Sequence, residues 1–287
     1  MVVAVTGANG QLGQALQFVA GDHPDIEFVF LSSSDLDITN LLQCDQVFKQ
    51  IQPDYCINAA AYTAVDKAES DQEKAFAINV TGPKNLATVC KEYHTILIHI
   101  STDFVFDGAK IEPYNEEDLP NPIGVYGQTK LEGEQAIQAL LTNYFIIRTS
   151  WVYSNFGSNF MKTMLRLAQD KSELSVVADQ MGTPTNAVDL ARAIIQIMIK
   201  NEQYKLDASL FGIYNFSNEG EASWYAFAKK IFETNQIQLK LNPITTSQFP
   251  TAAQRPKYSV LDKSKIKKAF DLTIRNWEDA LEDTKLK

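Results

Sequence analysis

The first half of the chain alternates between two hydrophobic patterns. Short runs of β-branched and aromatic residues have the continuous apolar character of strands that are buried on both faces. These runs are Val2–Thr6, Glu27–Leu31, Asp54–Asn58, Thr95–Ser101 and Tyr144–Thr149. Apolar residues at helical spacing lie between them, at Gly10–Gly21, Leu41–Ile51, Glu69–Tyr93 and Val125–Leu141. Strands that alternate with helices predict an α/β fold with a Rossmann-type, doubly wound parallel sheet.

The second half of the chain is less regular. Helices are expected at Asn159–Gln169, Ala187–Ile199, Ser223–Thr234 and Asn276–Leu286, a strand at Gly212–Phe216, and a proline-rich loop at Asn242–Ser259. We therefore expect a dinucleotide-binding domain over residues 1–150 and a smaller, C-terminal substrate-binding lobe over residues 151–287. Part of residues 184–200 is expected to return to the first domain.

Composition narrows the classes of function. The formal net charge of −9 argues against a nucleic-acid or anionic-membrane partner, because both require clustered Lys and Arg. The three Cys and three His residues are scattered, so no metal site and no disulfide framework is expected, and a reducing cytoplasm fits. The first residues are typical of a strand rather than a signal peptide, and no apolar run has the length of a membrane span.

A glycine-rich loop follows the first strand directly, as Gly7-Ala-Asn-Gly10-Gln-Leu-Gly13. Such a loop lets the backbone turn tightly and approach a pyrophosphate, while the next helix presents unpaired N–H groups. A glycine-rich turn without a ligand is the alternative. The position between a buried strand and an amphipathic helix, at the start of a βαβ series, favours a dinucleotide site.

The end of the second strand bears on which nicotinamide is used. Many dinucleotide folds place an acidic residue here for the ribose 2′-hydroxyl, but this chain has Ser32, which leaves room for a 2′-phosphate. The first arginine is Arg148, so no arginine of this segment can hold that phosphate. We therefore expect loose discrimination between NADH and NADPH. Asp35 and Asp37 follow, and either is alternatively a plain loop residue.

Tyr126 and Lys130 form a Tyr-x-x-x-Lys pattern on a predicted helix, which puts both side chains on one face. A cation near the phenol stabilises the phenolate, so Tyr126 is a candidate proton donor to a ketone, with Lys130 as its partner. Thr102 lies where the strand Thr95–Ser101 ends, the sheet edge at which such folds bind ligands. Its hydroxyl is a candidate to polarise the substrate carbonyl, or alternatively only caps a turn.

Small residues follow the third strand at the same expected edge, in Asn58-Ala-Ala-Ala61-Tyr62-Thr63. Side chains of this size let the backbone approach a cofactor. The alternative, for Ala59 and Ala60, is packing of a helix against the sheet.

Several segments together carry a specific resemblance. They are Thr6–Gly13, Asn58–Glu69, Ser101–Gly108, Val125–Glu134, Arg148–Tyr153, Asp179–Thr185 and Arg255-Pro256. In these segments the chain resembles the dTDP-4-dehydrorhamnose reductases, a family of extended short-chain dehydrogenases/reductases. The glycine loop and the Tyr/Lys pair are common to the superfamily, whereas Ala-Val-Asp-Lys-Ala-Glu, Arg-Thr-Ser-Trp-Val-Tyr and Asp-Gln-x-Gly-x-Pro-Thr are much narrower.

The resemblance implies NAD(P)H-dependent reduction of the C4 ketone of dTDP-4-dehydro-L-rhamnose to dTDP-L-rhamnose. It implies that Tyr126 donates the proton with Lys130 as partner, and that Thr102 and Asp103 contact the sugar. Trp151 is implied to line the sugar pocket, or alternatively is a core aromatic between the lobes. The implied cofactor-binding residues, besides Tyr126 and Lys130, are Gly7, Gly10, Gln11, Leu12, Gly13, Ser32, Asp37, Ile38, Ala59, Ala61, Tyr62, Thr63 and Ile100.

The chain departs from the family at two places. Some members pair through an acidic cluster that holds Mg²⁺, and the corresponding positions here hold Ala15 and Val188. A metal-bridged dimer is therefore not expected, and we expect a monomer or a weak homodimer. Phe104 stands where a tyrosine is usual, which removes one hydroxyl.

Two other functions stay open from the sequence alone. One is a nucleotide-sugar epimerase or dehydratase on the same fold, which keeps its cofactor and returns the hydride. The other is an NADP-binding regulatory subunit, similar to the β subunit of methionine adenosyltransferase. Intact Thr102, Tyr126 and Lys130 favour an enzyme.

Overall fold

The computed structural model describes residues 1–204 and 207–284. Its strands are β1 (Val2–Thr6), β2 (Glu27–Leu31), β3 (Tyr55–Asn58), β4 (Ile96–Thr102), β5 (Tyr144–Thr149), β6 (Val152–Tyr153), β7 (Glu173–Val177), β8 (Met181–Gly182), β9 (Thr185–Asn186), β10 (Gly212–Asn215), β11 (Ala222–Ser223) and β12 (Lys240–Ile244). Its α-helices are α1 (Gln11–Ala20), α2 (Leu41–Ile51), α3 (Val65–Ala68), α4 (Gln72–Phe76), α5 (Gly82–Glu92), α6 (Val125–Leu140), α7 (Phe160–Asp170), α8 (Ala187–Gln203), α9 (Trp224–Thr234), α10 (Ser264–Phe270) and α11 (Trp277–Glu282).

The central sheet has six strands in the order β10-β5-β4-β3-β1-β2, all parallel. From β1 the chain first adds β2 on one side and then β3, β4 and β5 on the other. In such a sheet, ligands bind outside the carboxyl ends of the strands at this reversal, here between β1 and β3. The predicted doubly wound parallel sheet is confirmed.

Helices cover both faces of the sheet, as the continuous apolar strands require. Alternate residues of β1 face opposite layers: Val3 and Val5 pack with α1 and α8, whereas Ala4 packs with α2, α5 and α6. Helix α8, which follows the second-half strand β9, thus lies against α1, and β10 joins the edge of the sheet beside β5.

The remaining second-half elements form a separate core. Helices α7, α9 and α11 bury Met161, Leu165, Phe227, Ile231 and Trp277 against one another and against β7. Strand β7 pairs with β12, and β8 pairs with β11. This second lobe meets the sheet where β5 ends and β6 begins.

The helix predicted over Glu69–Tyr93 is wrong as one continuous element. The structure divides it into α4, a π-helical turn at Ala77–Thr81, and α5. The N–H of Gly82 donates to the carbonyl of Ala77, five residues back, and Pro83 next to it has no N–H to continue the α-helical pattern. The wider turn contains Asn79, which becomes important at the site.

The proline-rich segment Asn242–Ser259 is also not a loop throughout. Its first residues lie in β12, where Pro243 stands opposite Val176 of β7. Because β12 is the edge strand of a two-stranded sheet, a residue without an N–H is tolerated there. The sequence patterns also missed the short strands β6 to β9 and β11, and helix α10.

The last helix spans Trp277–Glu282, which is shorter than the predicted Asn276–Leu286. The end of that prediction, residues 285 and 286, lies outside the described residues. Asn276 accepts the N–H of Glu278 and caps the helix, as asparagine does at an N-terminus. Within residues 1–204 and 207–284, no helix has the length and apolar character needed to cross a membrane.

Candidate active site

The glycine loop makes the turn that a nucleotide site requires. Gly7 has φ +71°, a conformation that residues with a Cβ rarely adopt. A Cβ at Gly7 would lie 2.6 Å from the backbone of Ala59 and Ala60, and one at Gly13 would overlap the carbonyl of Gly7. The loop therefore packs tightly against the residues that follow β3, at the reversal point of the sheet.

Helix α1 begins without a side-chain cap. Its N-cap is Gly10, which makes no capping hydrogen bond from a side chain, and its first turn contains no acidic residue. The N–H groups of that turn are therefore left for an external anion, and the partial positive charge of the helix end adds to the attraction. A pyrophosphate has the charge and the acceptor oxygens that fit this end.

A cavity of about 300 Å³ opens beside this turn. Its walls are apolar or small except for a few hydroxyl, amide and carboxyl groups, as expected for a nucleoside pocket. The lining residues are Gly7, Asn9, Gly10, Ser33, Leu36, Asp37, Ile38, Thr39, Ala59, Ala60, Ala61 and Ile78. The residues present fit a nicotinamide dinucleotide.

Six of the predicted cofactor residues line this cavity, namely Gly7, Gly10, Asp37, Ile38, Ala59 and Ala61. The neighbours Asn9, Ser33, Leu36, Thr39 and Ile78 were not predicted, whereas Ala60 belongs to the small-residue segment that was expected to let the backbone approach a cofactor. A signal for some of them was present, since Leu36 and Ile38 are buried apolar residues within an otherwise polar turn.

Other predicted cofactor residues lie next to the cavity rather than in its walls. Leu12, on the buried face of α1, packs in the core. The Gln11 amide donates to the carbonyl of Val152 (3.3 Å) and accepts from Asn159 (2.8 Å), so it joins the glycine loop to the second lobe. The Ser32 hydroxyl donates to Asp35 at 2.6 Å.

The segment after β3 is held by the π turn. Asn79 accepts the N–H of Tyr62 (2.8 Å) and donates to the carbonyl of Tyr62 (3.2 Å) and to the hydroxyl of Thr129 on α6 (3.2 Å). The Tyr62 ring is buried among α3 and α4, and Thr63 is exposed, so neither side chain lines the cavity. Asn79 thereby fixes the cavity wall relative to the helix that carries Tyr126.

Tyr126 and Thr102 meet at the carboxyl end of the sheet. The Thr102 hydroxyl donates to Asp103 (3.0 Å), accepts the N–H of Phe104 (3.2 Å), and lies within hydrogen-bonding reach of Tyr126. A Cβ at Gly127 would overlap the carbonyl of Phe104, so this glycine lets α6 approach the end of β4 closely. The two candidate groups, the strand-end hydroxyl and the phenol, therefore lie side by side.

The surroundings of Tyr126 raise the pKa of its phenol, whereas a nearby cation was expected to lower it. Burial raises the pKa of its phenol to about 12, the hydrogen bond with Thr102 works against that rise, and the charge of Asp103 adds to it. The phenol is therefore fully protonated at neutral pH, which is the form that a proton donor requires.

Lys130 lies one helical turn after Tyr126 and is buried between α6 and β4. Its Nζ donates to the carbonyl of Ile100 (2.6 Å) and contacts the Nε2 of His99 (3.2 Å). Burial lowers the pKa of the amine to about 8, although the charge of Glu134 raises it in part. The predicted cofactor residue Ile100 enters this site through its backbone oxygen.

Asp103 is a buried carboxyl whose charge is poorly compensated. Burial raises its pKa to about 6, against hydrogen bonds from Ser259 and Thr102, and its Oδ2 has no partner in the described part of the chain. The carboxylate is nonetheless the main form at neutral pH. It lies beside Thr102 and is itself only 1% exposed.

We expect Asp103→Asn to change how stability depends on pH. The carboxyl has a pKa of about 6 when folded and about 3.9 when unfolded, so its contribution to stability is present below pH 4 and is lost as the pH rises through 6. Relative to the wild type, the variant should gain about 2–3 kcal/mol in free energy of unfolding between pH 4 and pH 7. Urea titrations at both pH values measure this difference, and a pH-independent difference would contradict the burial of the charge.

Trp151 lies at the start of the second lobe in the left-handed conformation, with φ 47°. Its indole stacks on Trp224 with ring centres 3.6 Å apart and planes 9° apart, and both rings are partly exposed. A Cβ at Gly182 would lie 2.6 Å from the Trp151 ring, which explains the glycine of the Asp-Gln-x-Gly-x-Pro-Thr segment. Trp224 was not predicted as a site residue, because an aromatic residue in a helix usually packs in a core.

No group of three or more His, Cys, Asp or Glu side chains that could hold a metal ion occurs among the residues described. Ala15 lies on the buried face of α1, and Asp189, next to Val188, is held by Arg275 at 2.8 and 2.9 Å. Ala15 thus packs in the core, and the carboxylate of Asp189 is paired with an arginine of the same chain.

Comparisons with known proteins agree with this geometry. The family model described as RmlD substrate binding domain matches residues 1–286. A curated dTDP-4-dehydrorhamnose reductase of Sinorhizobium fredii is 44% identical over 284 residues, which cover 98% of this chain and 95% of that protein.

Two solved structures are similar over the whole fold. A dTDP-4-dehydrorhamnose reductase of Clostridium acetobutylicum has a TM-score of 0.92 at 42% identity, covering 99% of this chain and 98% of that one. One of Bacillus anthracis, in complex with NADP, has a TM-score of 0.90 at 42% identity with the same coverage. Since the family model and these relatives match the chain almost from end to end, the chain belongs to the dTDP-4-dehydrorhamnose reductase family.

Proposed function

We propose that the chain catalyses the NAD(P)H-dependent reduction of the C4 ketone of dTDP-4-dehydro-L-rhamnose, which gives dTDP-L-rhamnose. The observation that carries the proposal is the phenol of Tyr126, held beside the Thr102 hydroxyl at the end of the sheet that also forms the nucleotide cavity. The relatives that match over the whole chain bear the name of this activity.

Each site residue has its own role in the proposed ketone reduction. The bound nicotinamide supplies a hydride to the carbonyl carbon. Thr102 and Tyr126 donate hydrogen bonds to the carbonyl oxygen, and negative charge develops on that oxygen as the reaction proceeds. Tyr126 then gives its proton to the oxygen, and Lys130 stabilises the resulting phenolate.

The two parts of the fold take the two ligands. The sheet unit, residues 1–150 with α8 and β10, holds the dinucleotide in the cavity beside the glycine turn. The second lobe, built around α7, α9 and α11, takes the sugar, with Trp151 as the apolar wall and Asp103 as the polar contact from the sheet side. Stacking on Trp224 holds the Trp151 ring against the lobe, so that its exposed edge faces the substrate.

The cavity should accept NADPH and NADH with similar efficiency. Its walls contain neither Arg nor Lys among the described residues, and Asp37 carries the same sign of charge as a 2′-phosphate. The hydroxyls of Ser33 and Thr39 can bond either ribose form. We expect kcat/KM values within about tenfold of each other, a difference of about 1.4 kcal/mol, measured from initial rates with each cofactor. A ratio above a hundredfold would contradict this description.

Composition and packing also bear on the partner, the cellular location and the oligomeric state of the enzyme. Its partner is a small-molecule nucleotide-sugar rather than a nucleic acid or a membrane. The three cysteines are free and buried, which fits a reducing cytoplasm. A monomer or weak homodimer fits a chain in which Ala15 is buried in the core and offers no bridging carboxylate.

Steady-state oxidation of the cofactor tests the proposed function. Enzymatically prepared dTDP-4-dehydro-L-rhamnose is supplied with NADPH or NADH, and absorbance at the nicotinamide band is followed over many turnovers. The expected result is one cofactor oxidised for each dTDP-L-rhamnose formed. An epimerase would interconvert sugars without net oxidation, and a regulatory subunit would bind cofactor without turnover, so either result would overturn the proposal.

A further inference from the structure

His99 is a buried histidine of β4 that the proposed reaction does not use. It is fully buried, as are its two side-chain contacts, Asn58 on β3 and Lys130 on α6. Burial holds the pKa of the imidazole well below its usual range, and any positive charge on Lys130 lowers that pKa further. The ring is therefore neutral and carries one N–H.

The position of that N–H is fixed by hydrogen bonding on the other side of the ring. The Asn58 oxygen accepts from the Thr6 hydroxyl (2.7 Å) and from the N–H of Ala60 (3.2 Å), which sets the orientation of the amide. Its NH₂ group therefore points at the Nδ1 of His99, 3.0 Å away. Because Nδ1 must accept this bond, the ring proton lies on Nε2.

Nε2 faces the amine of Lys130 at 3.2 Å. An ammonium group has only donors, so a charged Lys130 would set one donor against another at this contact. An uncharged amine has a lone pair, which can accept the Nε2–H while one of its own hydrogens is donated to the Ile100 carbonyl at 2.6 Å. All polar groups of the network are then satisfied.

We propose that His99 is a positioning residue for Lys130, and that its Nε2–H favours the uncharged amine until a bound cofactor draws Lys130 away. This inference rests on the proposed function, in which Lys130 stabilises the Tyr126 phenolate. Its consequence is that the charge of Lys130 becomes linked to cofactor binding, because an acceptor on the bound ribose favours the ammonium form.

The other ionisable groups around Lys130 do not cancel the preference for its uncharged amine. Glu134, one turn further along α6, favours the ammonium, but its carboxylate is held by Arg148 of β5 at 2.6 and 3.0 Å. Tyr126, one turn earlier, stays neutral, and Asp103 lies beyond the end of β4, where its charge acts on Tyr126. Among the ionisable side chains of the described residues, the His99 ring is the one within hydrogen-bonding distance of the Lys130 amine.

Nitrogen NMR of the cofactor-free protein tests the ring proton directly. With ¹⁵N-labelled histidine, the shifts distinguish protonated from unprotonated ring nitrogens, and His99→Gln assigns its signals among the three histidines. We expect Nε2 of His99 to be protonated and Nδ1 to be unprotonated from pH 6 to 9. A proton on Nδ1, or a ring that titrates in this range, would overturn the inference.

Substitution of Asn58 should allow the His99 ring proton to leave Nε2. In Asn58→Leu the ring proton can move to Nδ1, so that Nε2 accepts from the ammonium and the pKa of Lys130 rises by about one unit or more. Thr6→Val is the matched control, since it removes a bond from the same network but leaves the amide facing Nδ1. Carbon NMR of labelled lysine, assigned with Lys130→Arg, measures the pKa in the free protein. Equal pKa values in the wild type and Asn58→Leu would overturn the inference.

Calorimetry of NADP⁺ binding gives a third readout that needs no turnover. Binding near pH 8, compared in buffers of different ionisation enthalpy, should take up part of a proton in the wild type and in Thr6→Val, and less in Asn58→Leu. Absence of proton uptake in the wild type would contradict the link between charge and binding. If the NMR results hold but no nicotinamide is oxidised with the keto-sugar, the proposed function fails while the role of His99 stands.

Discussion

Tyr126→Phe is expected to lower kcat by a factor on the order of 10² or more, with little change in the affinity for NADPH. The substitution removes one oxygen from a phenol that the structure keeps protonated beside Thr102. The ring that packs edge-on against Phe104, with centres 5.5 Å apart, is retained. Initial rates with the keto-sugar and fluorescence titration with NADPH measure the two quantities.

Tyr204→Phe is the matched control for this loss. Tyr204 lies at the exposed end of α8, far from the glycine turn, so loss of its hydroxyl should leave kcat unchanged. An active Tyr126→Phe enzyme, with kcat within about threefold of the wild type, would mean that the proton comes from another group.

Glu134→Leu is expected to cost about 3–5 kcal/mol in the free energy of unfolding. Glu134 and Arg148 form a bidentate ion pair, with N–O distances of 3.0 and 2.6 Å, and both side chains are at least 98% buried. Removing the carboxylate leaves the guanidinium buried without an opposite charge, and the Phe106 ring beneath it, 5.1 Å away, replaces little of that interaction. Urea unfolding at pH 7 measures the loss.

Two controls separate the buried charge from general disruption of α6. The double variant Glu134→Leu/Arg148→Met removes both charges and should recover most of the lost stability. Glu233→Gln breaks the exposed pair with Lys229 (3.8 Å) and should cost no more than about 0.5 kcal/mol. A double variant as unstable as Glu134→Leu would show that packing, rather than the unpaired charge, causes the loss.

The sheet unit was predictable because local pattern and global fold agree there. Each strand of the first half is a short apolar run, and each run has both faces covered by helices, so the run itself marks the strand. The second lobe was less predictable, since β6, β8, β9 and β11 have two residues each. Such short pairings arise from tertiary contacts and leave no period in the sequence.

The candidate site was also predictable only in part from the sequence. Tyr126, Lys130 and Thr102 were identifiable, because their spacing and their place at a strand end carry the chemistry. Their electrostatic surroundings were not, since the pKa values of Tyr126 and Lys130 depend on burial and on partners distant in sequence. His99 was invisible for the same reason: a lone histidine in an apolar strand gives no sign of the amide and amine on its two sides.

A crystal structure of the protein with NADP⁺ and dTDP-L-rhamnose would show which side chain donates the proton to the sugar. We expect the Tyr126 hydroxyl within about 3.2 Å of the sugar O4, with Thr102 on the same oxygen and the nicotinamide ring facing C4. A Tyr126 hydroxyl turned away from the sugar, with another side chain bonded to O4, would contradict it.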